Sequence, residues 1–114
     1  MNLRSEHRDG LLEITVEAER IDAASAIQFK DRMRELTREG PDRVVLDMAA
    51  VDFIDSSGLG AIVSAMKGLD GGKRLQLAAL SPKVLKVLRL TRMDSVFTIY
   101  ASIEAARQAD ADAA

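Results

Sequence analysis

The sequence predicts a single α/β domain over residues 1–114, in which a mixed, mostly parallel sheet of four to five strands packs against about four helices. Two observations support this prediction. Segments patterned as strands alternate with segments patterned as helices along the chain, which is typical of domains built on a substantially parallel sheet. The composition, 47% hydrophobic and 30% charged, suits one globular domain with one core.

The N-terminal part of the chain predicts two strands and an amphipathic helix. Residues 1–10 are polar and weakly patterned, and at best they form an edge strand. Residues 11–17 alternate between apolar and polar side chains, as in a strand with one buried face. From residue 23 to 39 the apolar side chains recur at intervals of three and four, which indicates a helix that a Gly-Pro pair ends. Asp22 is well placed to cap this helix through its carboxylate.

The middle of the chain predicts further strands around a second helix. Residues 43–48 form the short β-branched run that is typical of a strand buried on both faces, so we expect a central strand there. A second apolar patch follows at 51–54. Apolar side chains then recur at helical spacing from Ser57 until two glycines at 71–72, and residues 75–80 resume a strand pattern.

The C-terminal part predicts a helix, a strand and a final helix. Ser81 followed by Pro82 is the expected order of an N-cap and a first helical residue. Residues 96–100 have the composition of a last strand. A short helix should span 102–109, and we expect 110–114 to be a frayed tail.

Charge and residue counts exclude several classes of function. The 16 basic and 18 acidic side chains nearly cancel to a net charge of −2, so the basic surface of a nucleic-acid binder is missing. The chain has no cysteine and a single histidine, His7, which argues against a metal site or an imidazole base. No apolar run approaches the ~18 residues of a membrane helix, and the N-terminus is unlike a signal peptide. We therefore expect no cofactor, no direct nucleic-acid binding, no membrane insertion and a cytoplasmic location.

Three patterns suggest covalent chemistry, and none of them predicts an enzyme. A nucleophile elbow needs glycine on both sides of the serine, whereas residues 54–58 supply only the downstream glycine. Residues 68–73 resemble a phosphate-binding loop, but the first glycine comes one residue too late and follows a helix. Asp47 ends a buried strand, like the acceptor aspartate of response-regulator receivers, but residues 11–20 lack the acidic pair of those domains. A receiver-like domain remains an alternative that acid-stable phosphoserine would eliminate.

The segment between the second apolar patch and the second helix is the strongest candidate for a functional site. It consists of Asp55, Ser56, Ser57, Gly58, Leu59 and Gly60. Its serines could simply cap the helix, since capping is the common role of serine at this position. However, two glycines in a first turn weaken a helix by about 1 kcal/mol each, a poor choice unless the backbone must approach something closely. A phosphate on a serine here would add nearly two negative charges beside Asp55, which describes a switch rather than a catalyst.

Five segments match, in their order along the chain, the characteristic segments of one known domain family. They are residues 20–24, 44–47, 53–60, 81–84 and 90–97. Together they resemble the signature of STAS domains, and more narrowly that of bacterial anti-sigma factor antagonists, over nearly the whole chain. Two departures matter: family members often carry glycine where Glu19 and Arg92 stand, and both differences could alter the choice of partner.

The resemblance implies a partner-switching protein rather than an enzyme. In the unmodified form such a domain binds an anti-sigma factor, a serine kinase of the histidine-kinase-like ATPase class, and so releases a sigma factor for transcription. Phosphorylation by that kinase breaks the complex, and a serine phosphatase restores it. By position, the acceptor is Ser56, while Ser57 is the alternative acceptor and the better candidate for the N-cap.

The resemblance also implies roles for the neighbouring residues. Asp22 lies at the adjacent turn, where it either helps to form the docking surface or only caps its helix. Gly58 and Gly60 would allow the kinase to approach closely, and Leu59 is expected mainly to pack. The expected partner-binding set is Asp22, Asp55, Ser56, Ser57, Gly58, Leu59 and Gly60. The competing function is a non-cycling STAS module, an accessory or scaffold of a transport or stress-sensing complex.

Overall fold

A computed structural model describes residues 1–112 as a five-stranded sheet with helices on both faces and a separate two-stranded ribbon. The strands are β1 (Asn2–Arg8), β2 (Leu11–Glu17), β3 (Arg20–Ile21), β4 (Arg43–Asp47), β5 (Phe53–Ile54), β6 (Arg74–Ala78) and β7 (Ile99–Tyr100). The α-helices are α1 (Ala26–Thr37), α2 (Ser56–Lys67), α3 (Pro82–Leu90) and α4 (Ile103–Asp112), with a 3₁₀ turn at Met93–Ser95.

The main sheet is mixed and mostly parallel, as predicted. Its strand order is β1-β2-β4-β6-β7, with β1 antiparallel to β2 and all other neighbours parallel. The β-branched run of β4 occupies the centre, because a strand buried on both faces must be apolar on both. Asp9 and Gly10 make the tight turn from β1 to β2, both at positive φ. The polar N-terminal residues are therefore an edge strand, as the sequence suggested.

The front face of the sheet, which α1, α2 and α3 cover, carries the main core. Phe29 and Met33 of α1, Ile62 of α2 and Leu88 of α3 are each at most 1% exposed. They pack against the apolar side chains of β2, β4 and β6 that point to this face. The alternation of β2 is thus explained by one face in the core and one face toward α4.

The back face of the sheet is covered by α4 and carries buried polar contacts. Glu13 of β2 is 4% exposed and accepts two hydrogen bonds from Arg107 of α4, at 2.6 and 2.8 Å. The hydrogen bond from Arg107 lowers the pKa of Glu13 against the opposing effect of burial. Arg43 of β4 donates to Gln76 Oε1 and to the carbonyl of Ala106, both at 2.7 Å. Charged hydrogen bonds, with a small apolar cluster, thus hold the last helix in place.

The short strands β3 and β5 were not predicted, and the predicted elements differ from the structure at their ends. Helix α1 begins at Ala26, because residues 22–25 form a turn that Asp22 closes by accepting from the backbone N–H of Ala24 at 3.1 Å. The prediction that Asp22 caps the helix is therefore wrong, since Ser25 holds the N-cap position and makes no side-chain capping bond.

Two C-terminal boundaries also move. The last strand is limited to Ile99–Tyr100, because the backbone N–H groups of Val96 and Phe97 donate back to the carbonyl of Met93 and so continue the 3₁₀ turn. Helix α4 continues to Asp112, although the sequence suggested a frayed tail over 110–114; residues 113–114 lie outside the described residues.

Candidate functional site

The predicted site segment lies at the carboxyl edge of the main sheet, where β5 leads directly into α2. Strand β5 pairs in parallel with β3, so that Ile54 stands beside Ile21. This pairing places the turn at residues 22–25 next to the first turn of α2. Two segments that are separated by about thirty residues of sequence therefore share one surface, at the edge where ligand sites of α/β sheets usually lie.

Asp55 connects the two segments of this surface. It is the N-cap of α2, and its Oδ1 accepts a hydrogen bond from the backbone N–H of Gly58 at 2.8 Å. Its other oxygen, Oδ2, accepts from the backbone N–H of Ala23 at 3.1 Å. One carboxylate thus caps the helix and ties it to the neighbouring turn. The expectation that Ser57 provides the cap is wrong, because Asp55 already occupies that position.

Ser56 and Ser57 are the first two residues of α2, and both are exposed. Among the described residues, neither hydroxyl takes part in a hydrogen bond. Because the capping bond is made by Asp55, the two serines contribute no side-chain hydrogen bond that a modification would break. A phosphate on either would lie at the positive end of the helix dipole, which stabilises negative charge.

Gly58 is buried because the first turn of α2 lies close against the backbone of β3. A Cβ at this position would overlap the carbonyl oxygen of Ile21 and lie 3.1 Å from Ile54 Cγ1. The first turn of α2 therefore packs directly on the backbone of β3, and the expectation that Gly58 serves the approach of a partner is corrected. Gly60, in contrast, is exposed, and a Cβ added to it would meet nothing within 4 Å.

Leu59 packs into the core, as expected, and also forms one edge of an apolar groove between α2 and α3. Leu59 is 9% exposed. The groove has a volume of ≈ 570 Å³ and runs up to Ser56. Its apolar lining includes Ile54, Leu59, Val63, Val87 and Met93.

Sequence reasoning missed this groove, although α3 carries a signal for it. Five of the nine residues of α3 are large and apolar, more than one buried face needs, and only Val84 and Leu88 are buried. Leu90 is 75% exposed. Arg92, which follows α3, adopts the left-handed conformation at φ 61 and so turns the chain toward Met93 in the groove. Glycine adopts this conformation without strain, which explains why a glycine would suit the position.

Arg20 and Phe53 form a second contact beside the serines that sequence reasoning did not find. The guanidinium of Arg20 lies 4.1 Å from the centroid of the Phe53 ring, and its Nε donates to Asp22 Oδ2 at 3.1 Å. The hydrogen bond from Arg20 lowers the pKa of Asp22. Phe53 is 39% exposed. Only the pairing of β3 with β5 brings the two side chains together, so no local sequence pattern could reveal them.

We refer to these neighbouring features as the Ser56 surface. It comprises Arg20, Asp22, Phe53, Asp55, Ser56, Ser57, Gly60 and the apolar groove. Asp22 belongs to it by position, since the backbone N–H of the next residue donates to Asp55. Asp47, the other conceivable phosphoacceptor, lies at the end of β4 and accepts from the backbone N–H of Ala49 at 3.1 Å.

Two further kinds of site are absent from the part of the chain that the structure describes. No group of three or more histidine, aspartate or glutamate side chains lies close enough together to hold a metal ion. No helix in this part of the chain is long and apolar enough to cross a membrane.

Comparison with known proteins gives a consistent family. Residues 2–106 match the family model described as the STAS domain. The chain is 31% identical over 110 residues to the anti-sigma factor antagonist BtrV of Bordetella bronchiseptica, covering 96% of this chain and 94% of BtrV. A crystal structure from Thermotoga maritima, described as an anti-sigma factor antagonist, superposes with a TM-score of 0.80 at 26% identity, covering 93% of this chain and 92% of that one.

A third similarity concerns the fold alone. The unphosphorylated form of the anti-sigma factor antagonist SpoIIAA superposes with a TM-score of 0.74 at 19% identity, covering 96% of this chain and 97% of that one. SpoIIAA of Bacillus has also been solved in its phosphorylated form, which superposes with a TM-score of 0.66 at 18% identity, covering 95% of this chain and 99% of that one.

Proposed function

Because the chain belongs to the STAS-domain family, among the anti-sigma factor antagonists, we propose that it is a partner switch controlled by phosphorylation of Ser56. In the unphosphorylated state it binds an anti-sigma factor, a serine kinase of the histidine-kinase-like ATPase class, and so releases a sigma factor in the cytoplasm. The kinase phosphorylates Ser56 and the complex dissociates. A serine phosphatase then restores the binding form, and the domain itself catalyses no reaction.

The observation that carries the proposal is the uncommitted hydroxyl of Ser56 beside an apolar groove. Asp55 makes the capping bond, and the hydroxyl of Ser56 is exposed at the helix N-terminus and makes no hydrogen bond with the residues that the structure describes. Ser56 also lines the groove, whereas Ser57 does not. The position at the groove favours Ser56 as the acceptor whose charge a partner would meet, with Ser57 as the alternative.

The same geometry explains how a phosphate would separate the partners without unfolding the domain. A partner that fills the groove would bury its contact surface next to a group carrying nearly two negative charges, close to the carboxylate of Asp55. Burying charge without compensation is costly, so affinity would fall by orders of magnitude. The helix itself tolerates the phosphate, because the charge lies at the positive end of its dipole.

Mass spectrometry of the protein from the cells that produce it tests the acceptor. We expect a phosphate on Ser56 whose occupancy changes with stress, and its loss in a Ser56→Ala variant. A phosphate on Ser56 is an ester and should survive acid, whereas an acyl phosphate on Asp47 would not. If no phosphate occurs under any condition and Ser56→Ala behaves as wild type, the cycling mechanism is wrong. The domain would then be a constitutive accessory or scaffold module.

A binding experiment tests the charge mechanism separately. Ser56→Ala should retain the anti-sigma factor in a co-purification, and Ser56→Glu should weaken the captured complex about tenfold or more. Ser57→Glu is the matched control, because it adds the same charge one residue away and outside the groove lining. Equal weakening by both variants would contradict the assignment of Ser56 as the residue that the partner covers.

A further inference from the structure

The outer edge of β1 is a long strand edge with no partner among residues 1–112. Strand β1 is first in the order of the sheet and pairs only with β2. It spans seven residues, and all of them except Leu3 are exposed. Its register with β2 is continuous, without a bulge, and it contains no proline. Such an edge offers a full row of backbone donors and acceptors to another strand.

The charges along β1 alternate in sign on one face. Arg4, Glu6 and Arg8 stand opposite residues of β2 that point toward α4, so the three lie on the back face. Leu3, packed in the main core, marks the other face. A row of like charges would repel a second copy in any register. An alternating row repels it in some registers and attracts it in others.

We propose that a second copy of this chain pairs antiparallel with β1 about a two-fold axis at Ser5, joining the two five-stranded sheets into one of ten strands. In this register Arg4 stands opposite Glu6 of the second copy, and Glu6 stands opposite Arg4 of the second copy. Directly opposed side chains on one face are close enough to interact, and opposite charges stabilise the pairing. All seven residues of β1 take part.

The neighbouring two-fold registers are less favourable. Because the copies keep the same face toward the same side, the axis can move along β1 by whole residues only. With the axis at Arg4, that arginine faces its own copy; with the axis at Glu6, that glutamate faces its own copy and Arg4 faces Arg8. An axis at His7 opposes Glu6 to Arg8, but only residues 6–8 of each strand then overlap. The charges and the length of overlap together favour one closed dimer over slipped pairings.

The opposite edge of the sheet does not offer a comparable surface. That edge is β7, which is only two residues long. A short edge strand presents few backbone groups to another chain. Pairing through β1 therefore closes at two copies rather than continuing into a larger assembly.

The contacts that β1 already makes on its back face do not prevent this pairing. Arg4 Nη1 lies 3.6 Å from Glu17 Oε2, and Arg8 Nη2 lies 3.3 Å from Glu6 Oε2. These four side chains are between 44% and 67% exposed. Ion pairs at such exposure contribute little and are readily exchanged. Arg8 also lies 3.4 Å from Glu13, and it can keep this contact because the proposed register does not require its charge.

The proposed pairing does not use the side chain of Ser56. Because β1 pairs antiparallel with its copy, the carboxyl edges of the two sheets point in opposite directions. Ser56 lies on α2, whereas the pairing involves only residues of β1. The dimer contact is thus separate from Ser56.

Sedimentation of the full chain over a range of concentrations tests the proposal. We expect a weak dimer, because an edge-to-edge contact is smaller than a standard interface. Arg4→Glu and Glu6→Arg should each weaken dimerisation about tenfold or more, since each opposes like charges twice per dimer. A mixture of the two variants should recover the dimer, because one chain then presents two acids where the other presents two bases.

The controls separate this register from a loss of folding. Arg34→Glu reverses a charge on α1 that lies 3.7 Å from Asp31 on the helix surface, and it should leave dimerisation unchanged. Thermal unfolding of each variant establishes that it is folded. A wild-type chain that stays monomeric at millimolar concentration would overturn the proposal, as would a dimer that neither single variant weakens or a mixture that fails to recover it.

Discussion

Helices α2 and α3 both begin at the carboxyl edge of the sheet, yet they use serine in opposite ways. In α3 the hydroxyl of Ser81 is the N-cap and accepts from the backbone N–H of Val84 at 3.2 Å. In α2 the cap is Asp55, and the serines follow it as exposed helical residues. A serine at the cap is committed to the helix, whereas a serine one position later is free for modification. Ser81 occupies the N-cap position of its helix, and Ser56 occupies the position directly after the N-cap of its own.

The third residue of each helix differs for a related reason. In α3 this residue is Val84, whose side chain is 1% exposed in the core. In α2 it is Gly58, where the carbonyl of Ile21 occupies the space that a Cβ would need. Helix α3 is thus held by side-chain packing at its start, while α2 is held by direct contact with the backbone of β3. The tight contact of α2 keeps the serines at a defined place beside the groove.

The largest effect should come from breaking that backbone contact. Gly58→Ala places a methyl group in the space of the Ile21 carbonyl oxygen, so the helix must shift, and we expect the free energy of unfolding to fall by about 3 kcal/mol. Gly60→Ala is the matched control in open space and should stabilise α2 by about 1 kcal/mol. Urea unfolding measures both. Equal effects of the two variants would contradict the close contact.

Removal of the carboxylate cap should have the second largest effect. Asp55→Ala leaves the backbone N–H of Gly58 and that of Ala23 without their acceptor, and we expect a loss of about 2 kcal/mol in urea unfolding. Asp55→Ser should lose less, because a hydroxyl can still cap the helix, as Ser81 does in α3. If Asp55→Ala leaves the free energy of unfolding unchanged, the carboxylate does not tie the two segments together.

The serine cap of α3 should matter less than the aspartate cap of α2. Ser81→Ala removes a single acceptor from the N–H of Val84, which predicts a loss of about 1 kcal/mol in the same measurement. Ser81→Asp should restore the stability, because aspartate caps helices as well as serine does. A loss of stability larger than that of Asp55→Ala would contradict the expectation that the cap of α2 contributes more than the cap of α3.

The smallest effect should come from the serine that we assign to the switch. Ser56→Ala removes an exposed hydroxyl without a hydrogen bond, so the free energy of unfolding should change by less than about 0.5 kcal/mol. Ser57→Ala should behave in the same way. Thermal or urea unfolding measures both. A loss above about 1 kcal/mol for Ser56→Ala would show that its hydroxyl has a structural role and would weaken its assignment as a free acceptor.

Local patterns predicted the elements well and their ends less well. The periodicities of α1, β2 and β4 identified their type because buried faces repeat at fixed intervals. The start of α1 was misplaced by three residues, because residues 22–25 had the composition of a helix but form a turn closed by Asp22. That turn lies beside the carboxylate of Asp55, which accepts the N–H of Ala23, a contact that no local pattern contains.

The candidate site was located from the sequence, but the roles of its residues were not. The segment from Asp55 to Gly60 stood out because its glycines are unfavourable at the start of a helix. The structure separates those glycines: Gly58 meets the backbone of Ile21, and Gly60 faces open space. Position 58 needs glycine because it contacts Ile21, which lies thirty-seven positions earlier in the chain. Spacing within the segment could not distinguish them.

The sequence by itself determined the alternation of the longer strands with the helices, the central position of β4 and the cap of α3, because each depends on residues within about one helical turn or one strand. Only the tertiary structure decided which residue caps α2, which glycine is indispensable and where Arg20 meets Phe53. These features depend on the parallel pairing of β3 with β5, which joins segments distant in the chain. Backbone hydrogen bonds and steric contact between such segments follow from packing rather than from local composition, and they leave Ser56 exposed beside the groove.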